Sequence, residues 1–353
     1  MIPPLNAAPT TLKLLAYSPD EVFGAEHGDL PQVKKLLDSY QVTWISVVGL
    51  QDVELIQKFC TQMGFHRLTV EDIINQNERP KVEHYDNYSY ISVHVPKHDG
   101  RSESEMISIL IGDHFVVSFQ NTLVDYLEAI RNRIQKKVGQ IRFKNCEYLC
   151  YAIIDAVIDM YFPIAEHYAQ LLDVAEEDII HGLKPVAVLE IYNMRSRINY
   201  FHRILWSHKE LINQLMRDPE SPMSEEICVY LRDCFDHTIQ ILDFLDNLKD
   251  NSKTLIDLHL SLQSHRSNEI IKFLTIITAT FIPMTFVTGL YGMNFHQSSP
   301  WNMPELSWTY GYPFALILMA CAASSLWLYF YKQNWFSISP ATKRELEQEK
   351  DKG

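Results

Sequence analysis

The polar side chains best suited to ion chemistry stand in LYGMNFHQSS (290–299), between two long uncharged segments. The stretch contains amides, hydroxyls and one histidine, and it has no Lys, Arg, Asp or Glu. An anion site here would be expected to contain Arg or Lys, and a tight cation site Asp or Glu. Asn294 amides from several subunits would offer uncharged oxygens, which suit a Mg²⁺ ion that keeps its water shell. The residues therefore predict a mouth for a hydrated divalent cation.

The two uncharged segments are long enough to cross a bilayer. Residues 273–290 and 310–331 contain no charged side chain, and about 20 apolar residues span the hydrocarbon. Arg266 and Lys272 precede the first segment and Lys332 follows the second, whereas the loop between them has no Lys or Arg. We therefore expect a multi-pass protein of the cell (inner) membrane with both termini in the cytoplasm. A buried hairpin of a soluble protein is the alternative, although uncharged runs of this length are rare in soluble folds.

Two spans cannot enclose a pathway, so transport would require an oligomer. Small and polar residues recur along the first span in two rows seven residues apart, namely Asn268, Thr275, Ile282 and Gly289 and then Thr278, Thr285 and Gly292. Around a symmetry axis this stripe would line a narrow pore, interrupted by apolar rings at positions such as Leu274 and Ile282. Thr and Gly also let transmembrane helices pack closely, and the stripe alone favours neither interpretation.

The remaining sequence predicts an α/β domain followed by helices. Strand-like runs occur at 42–50, 87–95, 105–113 and 114–121, and residues 112–113 look like a tight turn between the last two. Two short helices lie between the first two runs, the first ending at a glycine and the second ended by Arg79-Pro80. The helical sequence that follows has a break near 182–185. Met223 to Ile282 contains neither Gly nor Pro, and one helix of that length rises about 90 Å. Leucines recur along it at three- and four-residue spacing, and this stripe must be covered by neighbouring helices of the same chain or of other subunits. The expected organisation is a cytosolic α/β domain (1–125), a cytosolic helical region (126–222), a stalk helix (223–291) that becomes the first span at about 270–291, a loop (292–309), a second span (310–331) and a cytosolic tail (332–353).

Composition disfavours other classes of protein. The net charge of −13 argues against nucleic acid as a partner. Six cysteines without a C-x-x-C pair predict buried free thiols in a reducing compartment. A membrane-anchored enzyme is a weaker alternative, because the sequence has no glycine-rich phosphate loop, G-x-S-x-G or H-E-x-x-H, and we expect no catalytic residues. A structural membrane scaffold is a third interpretation, in which Asn294 would carry no ion flux.

The stretch 268–295 closely resembles the first span of the CorA family of magnesium and cobalt channels, including its hallmark Gly292, Met293 and Asn294. The family's loop motif is matched by Met303, Pro304, Glu305 and Leu306, and the segments 70–83 and 231–241 also look like that family. The resemblance covers nearly the whole chain. It implies a funnel-shaped homopentamer, with the α/β domains at the wide cytosolic end, the stalk helices lining the pore and the second spans outside.

The same resemblance implies roles for individual pore residues. Asn294 corresponds to a selectivity ring at the mouth, and Thr285 to a second polar ring within the pore. Leu274 and Ile282 correspond to hydrophobic constrictions, and Asn268 to a polar ring at the cytosolic end. The implied function is a channel for Mg²⁺ and Co²⁺ influx down the electrochemical gradient, with Ni²⁺ as a further candidate ion.

A cytosolic regulatory metal site is also implied. In it Asp72, with Glu71 beside it, joins Asp233 of the neighbouring subunit. Because these carboxylates repel until a divalent cation bridges them, high cytosolic Mg²⁺ is expected to hold the channel closed. From the residues alone, Asp72 is a helix-start or surface acid and Asp233 belongs to a solvated face.

Three features depart from the family's pattern: Ile282 where relatives often have Met, a single Lys332 where they carry several lysines, and a longer loop between the two motifs. A zinc-transporting branch of the same superfamily is the alternative function. The Met-Pro-Glu-Leu motif favours the magnesium-type branch, and His296 is the only His or Cys at the mouth that zinc would be expected to recruit.

Overall fold

A computed structural model of the 353-residue chain describes residues 8–26, 28–97, 104–181, 188–294 and 303–335. The predicted helix break at 182–185, the part of the loop that contains His296 and the tail beyond Trp335 lie outside these residues. The chain divides into two compact units, Met1–Asp257 and Leu258–Gly353. We refer to them as unit 1 and unit 2.

Unit 1 is built on a mixed sheet of seven strands within the described residues, in the order β2-β1-β3-β7-β6-β5-β4. The strands are β1 (Thr11–Tyr17), β2 (Val22–Ala25), β3 (Val42–Val48), β4 (Lys81–Tyr85), β5 (Tyr88–Pro96), β6 (Ser104–Ile111) and β7 (Phe115–Gln120). β3 and β7 pair in parallel, and the other neighbouring strands pair antiparallel. The α/β fold class predicted from the sequence is confirmed for this unit.

Three helices lie among the strands: α1 (Leu30–Ser39), α2 (Val53–Met63) and α3 (Arg67–Asn75). α2 begins at Asp52, whose carboxylate accepts the Leu55 N–H at 3.0 Å, and it ends at Gly64, which has a positive φ of 78°. The predicted end of α2 at a glycine is confirmed. α3 was expected to continue until Arg79-Pro80 ended it, but it ends at Asn75, where Gln76 adopts a left-handed conformation with φ of 55°.

The strands β3, β5, β6 and β7 correspond to the four predicted runs, and the β6–β7 pairing is antiparallel around the predicted turn at 112–113. β1, β2, β4 and α1 were not predicted. β2 and β4 are short edge strands of four and five residues with mostly half-exposed or exposed side chains. β2 (VFGA) is too short, and β4 (KVEHY) is too polar, for the hydrophobic pattern alone to distinguish them from loops.

The rest of unit 1 is helical: α4 (Glu128–Gln135), α5 (Cys146–Asp159), α6 (Tyr161–His181), α7 (Val188–Arg217) and the first part of α8 (Glu225–Tyr291). α5 packs on the sheet at β5, β6 and β7, and α7 packs on β4 and β5. The His94 N–H of β5 donates to His208 Nε2 of α7 at 3.0 Å. The Tyr161 hydroxyl of α6 donates to the His94 carbonyl at 2.7 Å. These bonds fix the helices on the sheet.

α8 is continuous over 67 residues, which confirms the long helix predicted from the absence of Gly and Pro. It also continues through Pro283, a residue that has no N–H to donate to the carbonyl of residue 279. The predicted leucine stripe is buried within unit 1, since Leu231, Leu242, Leu245, Leu248 and Leu255 are all 5% exposed or less. Other parts of the same chain therefore cover this stretch of the stripe.

Unit 2 contains the rest of α8, a 3₁₀ turn (Pro304–Ser307) and α9 (Gly311–Lys332). By length and composition, three helical stretches of the described residues could cross a membrane: Cys146–Ile180, Glu225–Tyr291 and Gly311–Lys332. In the most apolar 18-residue window of the first stretch, 67% is buried inside the fold, whereas the corresponding windows of the other two stretches are 0% and 6% buried. Apolar surface already buried in a domain core needs no lipid, so the two exposed stretches are the better candidates for membrane spans.

The cysteines are free thiols, as expected. Four of them are buried, Cys228 is intermediate and Cys321 is exposed on α9. The expectation that all six are buried is therefore wrong for Cys228 and Cys321. The sequence does not separate a thiol in a soluble core from one on the outer surface of an apolar helix.

Candidate ion pathway and metal centre

The predicted pore residues within α8 lie on one face of the helix in unit 2. Because the helix is continuous to Tyr291, each residue turns the side-chain direction by about 100°. The stripe then falls within an arc of about 120°, and its helical members are all exposed in the single chain, namely Asn268, Leu274, Thr275, Thr278, Ile282, Thr285 and Gly289. The structure thus places these positions on a common surface that the chain itself does not cover.

The threonines of this face direct their hydroxyl protons into the helix. Thr275 donates to the Ile271 carbonyl at 2.7 Å, Thr278 to Leu274 at 2.8 Å and Thr285 to Phe281 at 2.9 Å. A hydroxyl has one proton and two acceptor lone pairs. Each oxygen therefore keeps only acceptor capacity, which matches the hydrogen-bond donors of the water shell of a cation.

Apolar side chains separate the polar positions of this face. Leu274 is 55% exposed and Ile282 is 61% exposed in the single chain. Exposed apolar surface of this extent normally marks contact with lipid or with another protein surface.

The Gly-Met-Asn segment follows the end of α8 directly. The Gly292 N–H donates to the Thr288 carbonyl at 2.9 Å and the Met293 N–H donates to the Leu290 carbonyl at 3.2 Å. A Cβ at Gly292 would lie 3.2 Å from the Thr288 oxygen, so a small residue suits the close approach of the backbone here. Asn294 comes next, and its side chain is exposed.

The Met-Pro-Glu-Leu segment forms a turn in front of α9. Met303 has a positive φ of 49° and precedes the 3₁₀ turn, and the Leu306 N–H donates to the Met303 carbonyl at 3.2 Å. A Cβ at Gly311 would lie only 2.1 Å from the Glu305 oxygen. The motif is thus packed against Gly311, the first residue of α9. This contact gives the motif a role in shaping the turn that precedes the helix.

The two predicted regulatory aspartates have different partners within one chain. Asp72 lies inside α3, and its Oδ2 is 2.8 Å from the Lys81 Nζ. Glu83 and Glu78 also approach this ammonium, with N–O distances of 2.9 and 3.4 Å. Partial burial lowers the pKa of Lys81, but the hydrogen bonds and charges of Asp72 and Glu83 outweigh that effect and raise it above its ordinary value. The helix-start interpretation of Asp72 is therefore wrong, because α3 begins five residues earlier, at Arg67.

Asp233 instead lies near an acidic cluster of unit 1 that the sequence did not predict. Asp155 and Asp159 of α5 and His237 of α8 place one ligand atom each within 4.8 Å of one another. The His237 Nδ1 is 3.7 Å from the Asp159 Oδ1, and Asp233 precedes His237 by one helical turn. We call Asp155, Asp159 and His237 the acidic cluster; Asp233 lies beside it and its charge acts on Asp155. Two acids four residues apart in an otherwise apolar helix, YAIIDAVID, were the available signal.

Burial and like charge perturb Asp155 of this cluster. The pKa of Asp155 is raised to about 6, first by burial and then by the charge of Asp159, with a smaller contribution from Asp233. The charge of His237 and a hydrogen bond from Tyr151 lower it in part. The uncompensated negative charge means that a cation would relieve the repulsion among these carboxylates.

The donor set of the acidic cluster fits a divalent metal ion. Ligands bound to one Mg²⁺ at about 2.1 Å lie about 3 to 4 Å apart, which the 4.8 Å spread can accommodate with small side-chain movements. The His237 Nδ1 is buried and has no hydrogen-bond partner among the residues that the structure describes, as expected of a nitrogen available to a ligand. Carboxylates suit Mg²⁺, and the imidazole adds a donor that Co²⁺ and Ni²⁺ prefer.

Comparisons with known proteins agree on one family. The model of the family described as "CorA-like Mg2+ transporter protein" matches residues 39–332. The cobalt/magnesium transport protein CorA of Thermotoga maritima is 34% identical over 327 residues, which cover 92% of each chain. The chain therefore belongs to the CorA-like family.

Solved structures agree on the fold. The complete structure of the CorA magnesium transporter from Methanocaldococcus jannaschii matches with a TM-score of 0.79 at 19% identity, covering 92% of this chain and 98% of that one. The soluble domain of the same transporter matches with a TM-score of 0.59 at 17% identity, covering 71% of this chain and 97% of that one. At these identities the likeness establishes the fold and leaves the ion to be argued from the site.

Proposed function

We propose that the chain is the subunit of a membrane channel that carries Mg²⁺ and Co²⁺ into the cell down their electrochemical gradients, with Ni²⁺ as a further candidate ion. Membership of a family with a cobalt/magnesium transport protein supports divalent cation transport. The observation that carries the proposal is the exposed face of α8, which joins uncharged oxygen acceptors to a terminal amide at Asn294. One such face cannot enclose a pathway, so several copies must surround an axis, and a funnel-shaped homopentamer is proposed.

In this assembly α8 and α9 cross the cell (inner) membrane and both termini lie in the cytoplasm. The α/β domain (1–125), the helical region (126–222) and the first part of the stalk (from residue 223) are cytosolic, as is the tail (332–353). The loop (292–309) lies on the opposite side of the membrane. The exposed apolar windows of α8 and α9 and the absence of Lys and Arg from the loop support this arrangement.

At the mouth, the Asn294 amide oxygens accept hydrogen bonds from the water that surrounds the ion. Mg²⁺ gives up its water reluctantly, so contact through water avoids the cost of dehydration. Thr285 offers a second set of acceptor oxygens and Asn268 a polar set at the cytosolic end. Leu274 and Ile282 form apolar constrictions between them, which favour a closed pore when they narrow because they dewet.

Cytosolic Mg²⁺ closes the channel through carboxylates at subunit contacts. Asp72 and Glu71 of one subunit and Asp233 of the next hold the regulatory ion, and Asp155, Asp159 and His237 lie beside Asp233 as further ligands. A bound divalent ion supplies the positive charge that cancels the repulsion among these groups. Without that charge the carboxylates repel, the subunits separate at this contact and the closed arrangement is lost.

Uptake of Mg²⁺ into liposomes that contain the purified full-length chain tests the proposal. We expect uptake by the wild type and a fall of at least about tenfold in Asn294→Ala, because a ring of acceptors is lost where the ion enters. Asn251→Ala is the matched control, since Asn251 is an exposed amide on α8 that points away from the pore face by helical spacing. Equal uptake by wild type and Asn294→Ala, or no uptake by the wild type, would refute the proposed pathway.

A further inference from the structure

Three carboxylates converge on one ammonium group at the start of β4. The Lys81 Nζ is 2.8 Å from Asp72 Oδ2, 2.9 Å from Glu83 Oε1 and 3.4 Å from Glu78 Oε2. The side chains of Lys81 and Asp72 are 28% and 19% exposed, so solvent ions can reach the group. One positive and three negative charges leave this group, the Lys81 cluster, with a surplus of negative charge.

Hydrogen bonds that do not involve the Lys81 side chain hold the start of β4 in place. The Lys81 backbone is paired with Ser92 of β5, and its N–H donates to the Ser92 hydroxyl at 3.1 Å. Ser92 in turn donates to the Arg79 carbonyl at 2.9 Å. Partly exposed ion pairs contribute little to the stability of a fold. The more important effect of the Lys81 ammonium is therefore on the Asp72 carboxylate that it contacts.

The following inference rests on the proposed regulatory role of Asp72. We infer that Lys81 is a tethered competitor of the regulatory divalent ion: its ammonium occupies the Asp72 carboxylate and so sets the Mg²⁺ concentration at which the site fills. Tethering keeps the competitor at a high effective concentration beside its carboxylate. The competitor is monovalent and sits on a flexible four-carbon stem, so a divalent ion can displace it at sufficient concentration.

Glu83 and Glu78 remain as ion-pair partners for the Lys81 ammonium after it leaves Asp72. When Asp72 turns to a metal ion, Lys81 keeps both of these glutamates within reach. The exchange therefore leaves no charged group without a partner, and it needs only side-chain rotation. This arrangement makes the response to Mg²⁺ weak and reversible, as expected of a sensor for an ion that is abundant in the cytosol.

The test is the Mg²⁺ dependence of the thermal unfolding midpoint of the full-length chain in detergent, measured from an EDTA baseline. Lys81→Met is expected to lower the half-saturating Mg²⁺ concentration by about three- to tenfold, because a competing charge is removed. Lys81→Arg keeps the charge and should stay within about twofold of the wild type. Lys137→Met is the matched control, since it also removes a paired lysine, whose partner is the exposed Asp20.

A double-mutant cycle isolates the partner through which Lys81 acts. In an Asp72→Asn background, Lys81→Met should no longer change the half-saturating concentration. An unchanged or raised value for Lys81→Met in the wild-type background would overturn the inference while leaving the regulatory site intact. A wild-type chain whose midpoint does not respond to Mg²⁺ would overturn the regulatory site itself, and this inference with it.

Discussion

The acidic cluster of unit 1 and the pore face of unit 2 both offer oxygen ligands, but they differ in charge. Asp155 and Asp159 bring negative charge, and the burial of Asp155 and its repulsion by Asp159 leave that charge poorly compensated. Asn294 and the threonines of α8 bring none. A charged site binds a divalent ion directly and releases it slowly, which suits a sensor. A neutral site binds the hydrated ion weakly, which suits passage.

The two regions also hold their side chains differently. In the acidic cluster the ligands come from two helices that pack within one unit, and the His237 Nδ1 is buried. On the pore face the side chains are exposed and are positioned by a single helix. The acidic cluster is therefore largely formed in one chain, whereas the proposed pore would require other copies of the chain.

The largest effect is expected for Asp233→Lys, which places a fixed positive charge where the regulatory ion would bind. Uptake at low internal Mg²⁺ should fall about tenfold or more and should no longer depend on internal Mg²⁺, because the lysine mimics the bridging cation. The measurement is Mg²⁺ uptake into liposomes loaded with different Mg²⁺ concentrations. Asp250→Lys, an exposed acid elsewhere on α8, is the control. Unchanged dependence on internal Mg²⁺ would show that Asp233 is not part of the sensor.

Asp155→Asn should weaken binding at the acidic cluster by about tenfold, because one charged ligand is lost. The measurement is the Mg²⁺ concentration that half-saturates the shift in the unfolding midpoint. Glu166→Gln provides a matched loss of one exposed carboxylate on the neighbouring helix α6. If Asp155→Asn matches the wild type, the acidic cluster does not bind the ion.

A smaller effect is expected from pH, through the raised pKa of Asp155 of about 6. Below this pH a divalent ion must displace a proton, so the half-saturating Mg²⁺ concentration should rise about fourfold from pH 7.5 to pH 5.5. Without metal, the effect of pH on protein stability has the opposite sign. Because the pKa of Asp155 is higher in the folded than in the unfolded chain, its contribution to the free energy of unfolding is complete below the unfolded pKa and is lost as the pH rises through about 6. Asp155→Asn should remove both trends, and a trend that persists in this variant would assign it to another group.

The smallest effect is expected for Thr285→Val, which removes one acceptor oxygen but keeps the shape of the side chain. Uptake should fall about two- to threefold, since the ion retains its water and loses only one hydrogen-bonding ring. Thr280→Val is a close control, because the Thr280 hydroxyl also donates to the carbonyl four residues back, at 2.7 Å. By helical spacing Thr280 lies outside the pore face. Equal losses in the two variants would assign the effect to helix packing.

The sequence predicts the parts of this molecule that depend on local patterns. The absence of Gly and Pro predicts α8, and the β-branched and aromatic runs predict the central strands. The uncharged segments predict which helices expose apolar surface. Each of these patterns extends over many residues, so tertiary contacts do not override it.

The parts that depend on contacts between distant residues were not predicted. Asp155 and His237 are 82 positions apart in sequence, and only the packing of α5 against α8 brings their ligand atoms together. The pairing of Asp72 with Lys81 depends likewise on how α3 meets β4. Resemblance to the family pointed to Asp72 and Asp233 but not to the neighbours that determine their charge environment.

The most direct test of the neutral mouth is the concentration dependence of Mg²⁺ uptake by Asn294→Asp. A carboxylate ring would bind the ion directly and release it slowly, so uptake should saturate at a lower external Mg²⁺ concentration and reach a lower maximal rate than in the wild type. A half-saturating concentration and a maximal rate both equal to those of the wild type would contradict the claim that the hydrated ion passes residue 294.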